Sequence, residues 1–172
     1  FHADPMAKPG LFYASERERF DRQAAIDFTL KHDDGQRPHE LDLADIIIVG
    51  VSRSSKSTTC FYLAYQGIMA ANVPLVPGTP VLPQLLKIDP AKVIGLRMNV
   101  SRLITVRQAR ATHLGTPHTD YYVDKRALAM EVAQANQMMS AQGWTSFDAS
   151  YMAVEEIARK AMRLRGWPAI RS

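Results

Sequence analysis

The sequence predicts an α/β domain with a mainly parallel sheet in a three-layer, P-loop kinase-like arrangement. Three observations carry that prediction. Short apolar runs over 46–49, 72–76, 92–97 and 145–149 alternate with longer stretches of helical periodicity. Such alternation implies crossover connections and a sheet covered on both faces. The first run leads directly into Gly50-Val-Ser-Arg-Ser-Ser-Lys-Ser57, a G-x-x-x-x-S-K-S spacing. That loop falls at the carboxyl end of its strand, where open parallel sheets bind ligands.

Taken in order, residues 1–10 hold two prolines and a glycine and read as an irregular entry. A capping box, Ser15-Glu-Arg-Glu18, then predicts a helix to Lys31, with Phe20, Ala24 and Phe28 on one face and Ile26 and Leu30 beside it. His32-Asp-Asp-Gly-Gln36 ends the helix, and Pro38 keeps the chain extended towards the first strand. The helix after the loop is expected to reach about Ala70, with Phe61, Ala64 and Ile68 at helical spacing and Cys60 serving packing. Beyond the second strand, Pro77-Gly-Thr-Pro80 turns the chain and 82–87 reads as a short helix. Residues 100–111 form a helix carrying Arg102, Arg107 and Arg110, followed by a loop over 113–120 with Gly115 and Pro117. A long helix over 125–142 turns Leu128, Val132, Ala135 and Met139 inward and closes at Gly143. The last helix, 152–165, is basic towards its end and stops at Gly166 and Pro168.

Composition bounds the function. The 172 residues suit one domain, expected over 1–172, and with Phe1 as first residue the expectation is the C-terminal part of a longer protein. A net charge of +4 suits phosphorylated ligands, but no Lys/Arg block is long enough for a nucleic-acid arm. A single cysteine excludes an internal disulfide, and no apolar run approaches a membrane span. A soluble cytoplasmic domain is the expectation.

The chemistry sits in the glycine-opened loop. In a P-loop, backbone N–H groups and a helix N-terminus wrap a phosphate, the lysine reaches the outer phosphates, and the next hydroxyl binds Mg²⁺. Here those residues are Gly50, Val51, Ser52, Arg53, Ser54, Ser55, Lys56 and Ser57, with Lys56 expected to face solvent and Ser57 the metal ligand. Ser55 stands where such loops usually carry a second glycine, so an altered loop path is one expectation. The strands after the loop end in Val76 and Arg97 rather than in an aspartate that could serve Mg²⁺. Asp33 and Asp34 are therefore the best-placed acids, as metal-organising group or general base. Arg107 and Arg110, three residues apart, could converge on a phosphate, though a solvated helix face is the blander alternative. His113 and His118 lack the partners a metal site needs, and the Met138-Met139 and Tyr121-Tyr122 pairs read as packing.

Three stretches together resemble the bifunctional regulatory proteins of pyruvate, phosphate dikinase, related to those of phosphoenolpyruvate synthase. They are the segment from Phe20 through His32-Asp-Asp-Gly35, the strand and loop from Ala44 to Ser57, and Ala71-Asn-Val-Pro-Leu-Val-Pro77. The resemblance covers nearly the whole chain. It departs at Thr58, where that family commonly has proline, and in lacking the family's N-terminal region. It implies a serine/threonine kinase that uses ADP to phosphorylate an active-site threonine of the dikinase. It also implies a phosphorylase that removes the group with inorganic phosphate, giving pyrophosphate. ADP, Mg²⁺ and phosphate or pyrophosphate would be the small molecules, Lys56, Asp33 and Asp34 the catalytic residues. The dikinase or the synthase would be the partner, with a homodimer as one option for assembly. The residues alone leave open a small-molecule kinase of adenylate- or shikimate-kinase type and a nucleotide-sensing module without catalysis.

Overall fold

The computed structural model of the chain describes residues 11–114 and 124–168. The predicted irregular entry over 1–10 and, within the predicted loop and the segment after it, Gly115, Pro117, His118, Tyr121 and Tyr122 lie outside the described residues. Four strands, β1 (Ile46–Gly50), β2 (Ala70–Pro74), β3 (Val93–Arg97) and β4 (Thr145–Asp148), form one sheet in the order β2-β1-β3-β4. Every neighbouring pair is parallel. The helices are α1 (Leu11–Lys31), α2 (Lys56–Tyr65), α3 (Val100–Leu114), α4 (Lys125–Ala141) and α5 (Val154–Leu164).

β1 is central and buried at every position, which is why it reads as a continuous apolar run. Its side chains alternate between two cores. Ile46 and Ile48 pack with Cys60 and Leu63 of α2 and Ile157 and Ala161 of α5. Ile47 and Val49 pack with Leu103 of α3 and Leu128, Val132 and Met139 of α4. The result is the three-layer α/β arrangement that the sequence predicts.

Helix α4 buries Leu128, Val132, Ala135 and Met139, as its periodicity predicts. Its N-terminus is capped by the Asp124 carboxylate, which accepts from the Ala127 N–H at 2.7 Å. Other boundaries differ from expectation. Helix α1 begins at Leu11, so Ser15 and Glu18 lie inside it and do not start it. Its buried face is Ala25, Phe28, Thr29 and His32, while Phe20 is 77% and Leu30 56% exposed. The physical reason is that α1 docks through polar bonds. Thr29 Oγ1 donates to the Ala70 carbonyl at 2.7 Å and accepts from the Ala70 N–H at 3.3 Å. The Asn72 N–H donates to the His32 carbonyl at 3.3 Å. These bonds cover the outer edge of β2, which would otherwise offer unpaired backbone. Helix α2 stops at Tyr65, five residues before the expected end, because 70–74 are drawn into the sheet beside β1.

Gly95, central in β3, lets α4 lie close on the sheet. A Cβ there would overlap the Met139 side chain and come within 2.8 Å of Ser146 Cβ. Gly95→Ala should therefore cost about 1–3 kcal/mol through overpacking. Met139→Ala should cost less in the Gly95→Ala background than alone. Denaturant unfolding of the double-mutant cycle checks this, and strictly additive losses would contradict the proposed contact.

Candidate functional site

The loop between β1 and α2 leaves the sheet at Gly50, where a Cβ would lie 2.6 Å from the Leu96 carbonyl oxygen of β3. Only glycine lets the chain turn this close to its neighbour. Two later residues, Arg53 (φ 69°) and Ser55 (φ 67°), adopt the left-handed conformation. Ser55 thus adopts a conformation that favours glycine, at the steric cost of a side chain.

Ser55 also precedes α2 without capping it by its side chain. Its hydroxyl is exposed, and the first-turn N–H groups of α2 are left to the cleft in front of them. That cleft has a volume of about 530 Å³ and is lined by Asp34, Ser52, Arg53, Ser55, Lys56 and Ser57 among others. Gly50, Val51 and Ser54 are buried and are not among the residues that line it. An uncapped helix N-terminus beside a lysine and an arginine is a site for an anion of phosphate type.

Lys56 does not face solvent as expected. It is only 5% exposed, and its ammonium donates to the Val51 carbonyl at 2.9 Å, closing the loop on itself. Burial pulls its pKa down to about 8, against the attraction of the Asp34 and Asp33 carboxylates. Cys60 is fully buried and burial pushes its thiol pKa up, which leaves it a packing residue.

The acidic loop arrives from the end of α1. Asp33–Gly35 forms a single 3₁₀ turn in which Asp34 is left-handed, at φ 50° and ψ 41°. Asn72, in the middle of β2 and 1% exposed, ties this turn to the 50–57 loop. Its Nδ2 donates to an Asp33 carboxylate oxygen and lies 3.4 Å from Ser57 Oγ. Its Oδ1 accepts from the Asp34 N–H at 3.2 Å. In the sequence Asn72 reads as an ordinary strand residue; an amide in an otherwise apolar buried strand is the signal that singles it out.

The two arginines do not converge. Arg110 is exposed, whereas the buried Arg107 guanidinium pairs in two-pronged fashion with Glu131 of α4, at 2.9 and 2.5 Å. It also donates to the Ser52 carbonyl at 3.3 Å. Arg107 thus braces the loop from behind. The acid that ends β4, Asp148, is engaged by the Ser150 N–H and hydroxyl, which hold its pKa below the ordinary range. His113 is exposed on α3.

Among the described residues no three His, Cys, Asp or Glu side chains cluster as a metal cage. Nucleotide-bound Mg²⁺ does not need one, since it takes one or two protein oxygens and completes its shell with phosphates and water. Ser57 Oγ and the Asp33 carboxylate, joined through one amide, supply hard oxygens of that kind.

A lysine, a hydroxyl and an acidic turn around one anion-binding cleft are parts that phosphoryl transfer can use. The family model for kinase/pyrophosphorylase matches residues 1–162. The chain belongs to the kinase/pyrophosphorylase family. Curated relatives with the provisional name pyruvate, phosphate dikinase regulatory protein include those of Caulobacter vibrioides, Carboxydothermus hydrogenoformans and Acidiphilium cryptum. They are 41%, 40% and 42% identical over 90%, 94% and 91% of this chain. The chain spans about half the length of these relatives, at 49%, 58% and 56%. Within the described part of this kinase/pyrophosphorylase chain, no helix is long and apolar enough to cross a membrane.

A buried ammonium titrating near 8 opposes folding where the unfolded chain still carries the charge. The folded pKa lies below the ordinary 10.5, so the penalty is fully present below about pH 8 and fades as pH rises towards 10.5. Lys56→Met should therefore stabilise the ligand-free protein at pH 7 by about 1–3 kcal/mol. The gain should shrink above pH 8. Denaturant melts across pH check this, and a loss of stability at pH 7 would contradict the burial cost.

Proposed function

We propose that this chain is the phosphoryl-transfer unit of a bifunctional regulator of pyruvate, phosphate dikinase. In one direction the hydroxyl of a dikinase threonine attacks the β-phosphorus of ADP. The bond to the bridging oxygen breaks, AMP leaves, and the threonine proton passes to a carboxylate of the Asp33–Asp34 turn. In the other direction an oxygen of inorganic phosphate attacks the phosphothreonine phosphorus, and pyrophosphate and free threonine result. Both reactions need the same parts: a cradle for two phosphoryl groups, a cation to neutralise them and an acid–base group on the acceptor side.

The observation that carries this reading is that Lys56, Ser57 and Asp34 line one cleft at an uncapped helix N-terminus. Lys56 and the loop N–H groups would hold the phosphates, with Arg53 adding charge at the rim. Ser57 and the acidic turn would hold Mg²⁺, which supplies charge neutralisation in the transition state. Breaking of the Lys56 bond to the Val51 carbonyl frees the ammonium for a phosphate, which offers it a stronger, charge-assisted partner. The dikinase as target is supported by the names of the relatives, which favour it over the synthase. A cytoplasmic location fits such a target.

The test is single-turnover transfer from ADP labelled in its β-phosphate to the dikinase, with nucleotide contaminants removed. Transfer should proceed from ADP and not from ATP, and phosphate should return the label as pyrophosphate. Lys56→Met should lose both directions by at least about 100-fold, the scale of a lost transition-state contact. Efficient transfer from purified ATP, or a variant that keeps one direction, would overturn the shared-site reading.

A further inference from the structure

We infer that Asn72 is a positioning residue that divides the two carboxylates by role, setting Asp33 beside Ser57 for the divalent cation and leaving Asp34 to the acceptor hydroxyl. The inference rests on the phosphoryl-transfer reading and assigns what that reading leaves to the pair as a whole.

Asn72 lies across the ladder from Ile48, in a strand whose first four residues are all buried. A buried amide is costly unless its donors and acceptor are used. Here the amide bonds to the candidate site: the Asp33 carboxylate, the Ser57 hydroxyl and the Asp34 N–H. The orientation of the amide follows from those partners. Its oxygen must face the Asp34 N–H, and its NH₂ must face the carboxylate, because the reverse would set oxygen against oxygen.

Two consequences separate the acids. The Asp33 carboxylate is bonded by the same NH₂ group that lies 3.4 Å from Ser57 Oγ, so one amide links oxygens from two different elements. Hard-oxygen pairs of this kind suit Mg²⁺. Parallel-sheet phosphate sites commonly place the metal-side acid on a strand next to the loop; here the strand carries an amide that borrows the acid from the turn after α1. Asp34 is held differently, through its backbone N–H, in a left-handed conformation that aims its side chain elsewhere. It lines the phosphate cleft and also an adjoining apolar cavity of about 180 Å³ formed by Val73, Leu75, Val81, Leu82 and others. Asp34 thus stands at the junction of the two spaces, where an acceptor hydroxyl entering beside the phosphate would meet it.

The deciding experiment measures ADP affinity by calorimetry with and without Mn²⁺, for the wild-type chain and for Asp33→Asn, Asp34→Asn and Asn72→Ala. Mn²⁺ should tighten ADP binding in the wild type and in Asp34→Asn, and the latter should lose transfer to the acceptor. Asp33→Asn should lose the Mn²⁺ effect by about 10–100-fold and Asn72→Ala by about 10-fold, while metal-free affinity stays within about 2-fold of wild type. A purely structural role for Asn72 would shift metal-free and metal-bound affinity alike. If Asn72→Ala fails to fold, the isosteric aspartate variants still decide between the two acids. Wild-type metal coupling in Asp33→Asn, or its loss in Asp34→Asn, would overturn the assignment alone. A wild-type chain that binds no ADP with Mn²⁺ would overturn the proposed function and the assignment with it.

Discussion

The site depends on the docking of α1 against the free edge of β2. Thr29 and His32 satisfy backbone groups of Ala70 and Asn72, and the next two residues in the chain are the acids. A requirement of the sheet, that its edge not stay unpaired, therefore fixes where Asp33 and Asp34 arrive. His32 is itself anchored, stacked on Phe28 at 3.8 Å with Nδ1 donating to the Phe28 carbonyl at 2.7 Å. Glu40 follows at 3.1 Å from its Nε2. The acidic turn is thus clamped from both sides before any ligand is present, which is the preorganisation that phosphoryl transfer needs.

The other half of the site carries unfavourable features for its fold. Arg53 and Ser55 are left-handed, and Lys56 is a buried cation whose partner is a carbonyl of its own loop. Each is a cost that a loop without a ligand would shed. They are offset by a rigid surround: Gly50 seated against β3, and Arg107 held by Glu131 while donating to Ser52. Stability is traded for a cradle whose charge is complementary to phosphate.

The strand, loop and helix from Ile46 to Tyr65 were legible because their signals are local: an apolar run, a glycine turn and a lysine-serine pair at a helix start. The buried face of α4 was legible for the same reason, since its period repeats over four turns. The face of α1 was legible only at Phe28, because Thr29 and His32 set the rest through bonds to a strand some forty residues away, while Phe20 and Leu30 are exposed. The partner of Arg107 was hidden likewise, since Glu131 meets it only once α3 and α4 pack together. Lys56 misled in its exposure: a lysine in a small-residue loop reads as solvent-facing, and only the closed loop shows its ammonium turned inward.

What the Lys56 ammonium touches decides whether the cleft holds a phosphate. Its titration can be followed directly by nitrogen NMR of the side-chain amines, with a Lys56→Arg sample for assignment. The structure predicts a resonance titrating near 8 in the free protein, moved upward when ADP is added, because a phosphate in the cleft stabilises the charged form. A Lys56 that titrates near the ordinary 10.5 and ignores ADP would contradict both its burial and its place at the phosphate.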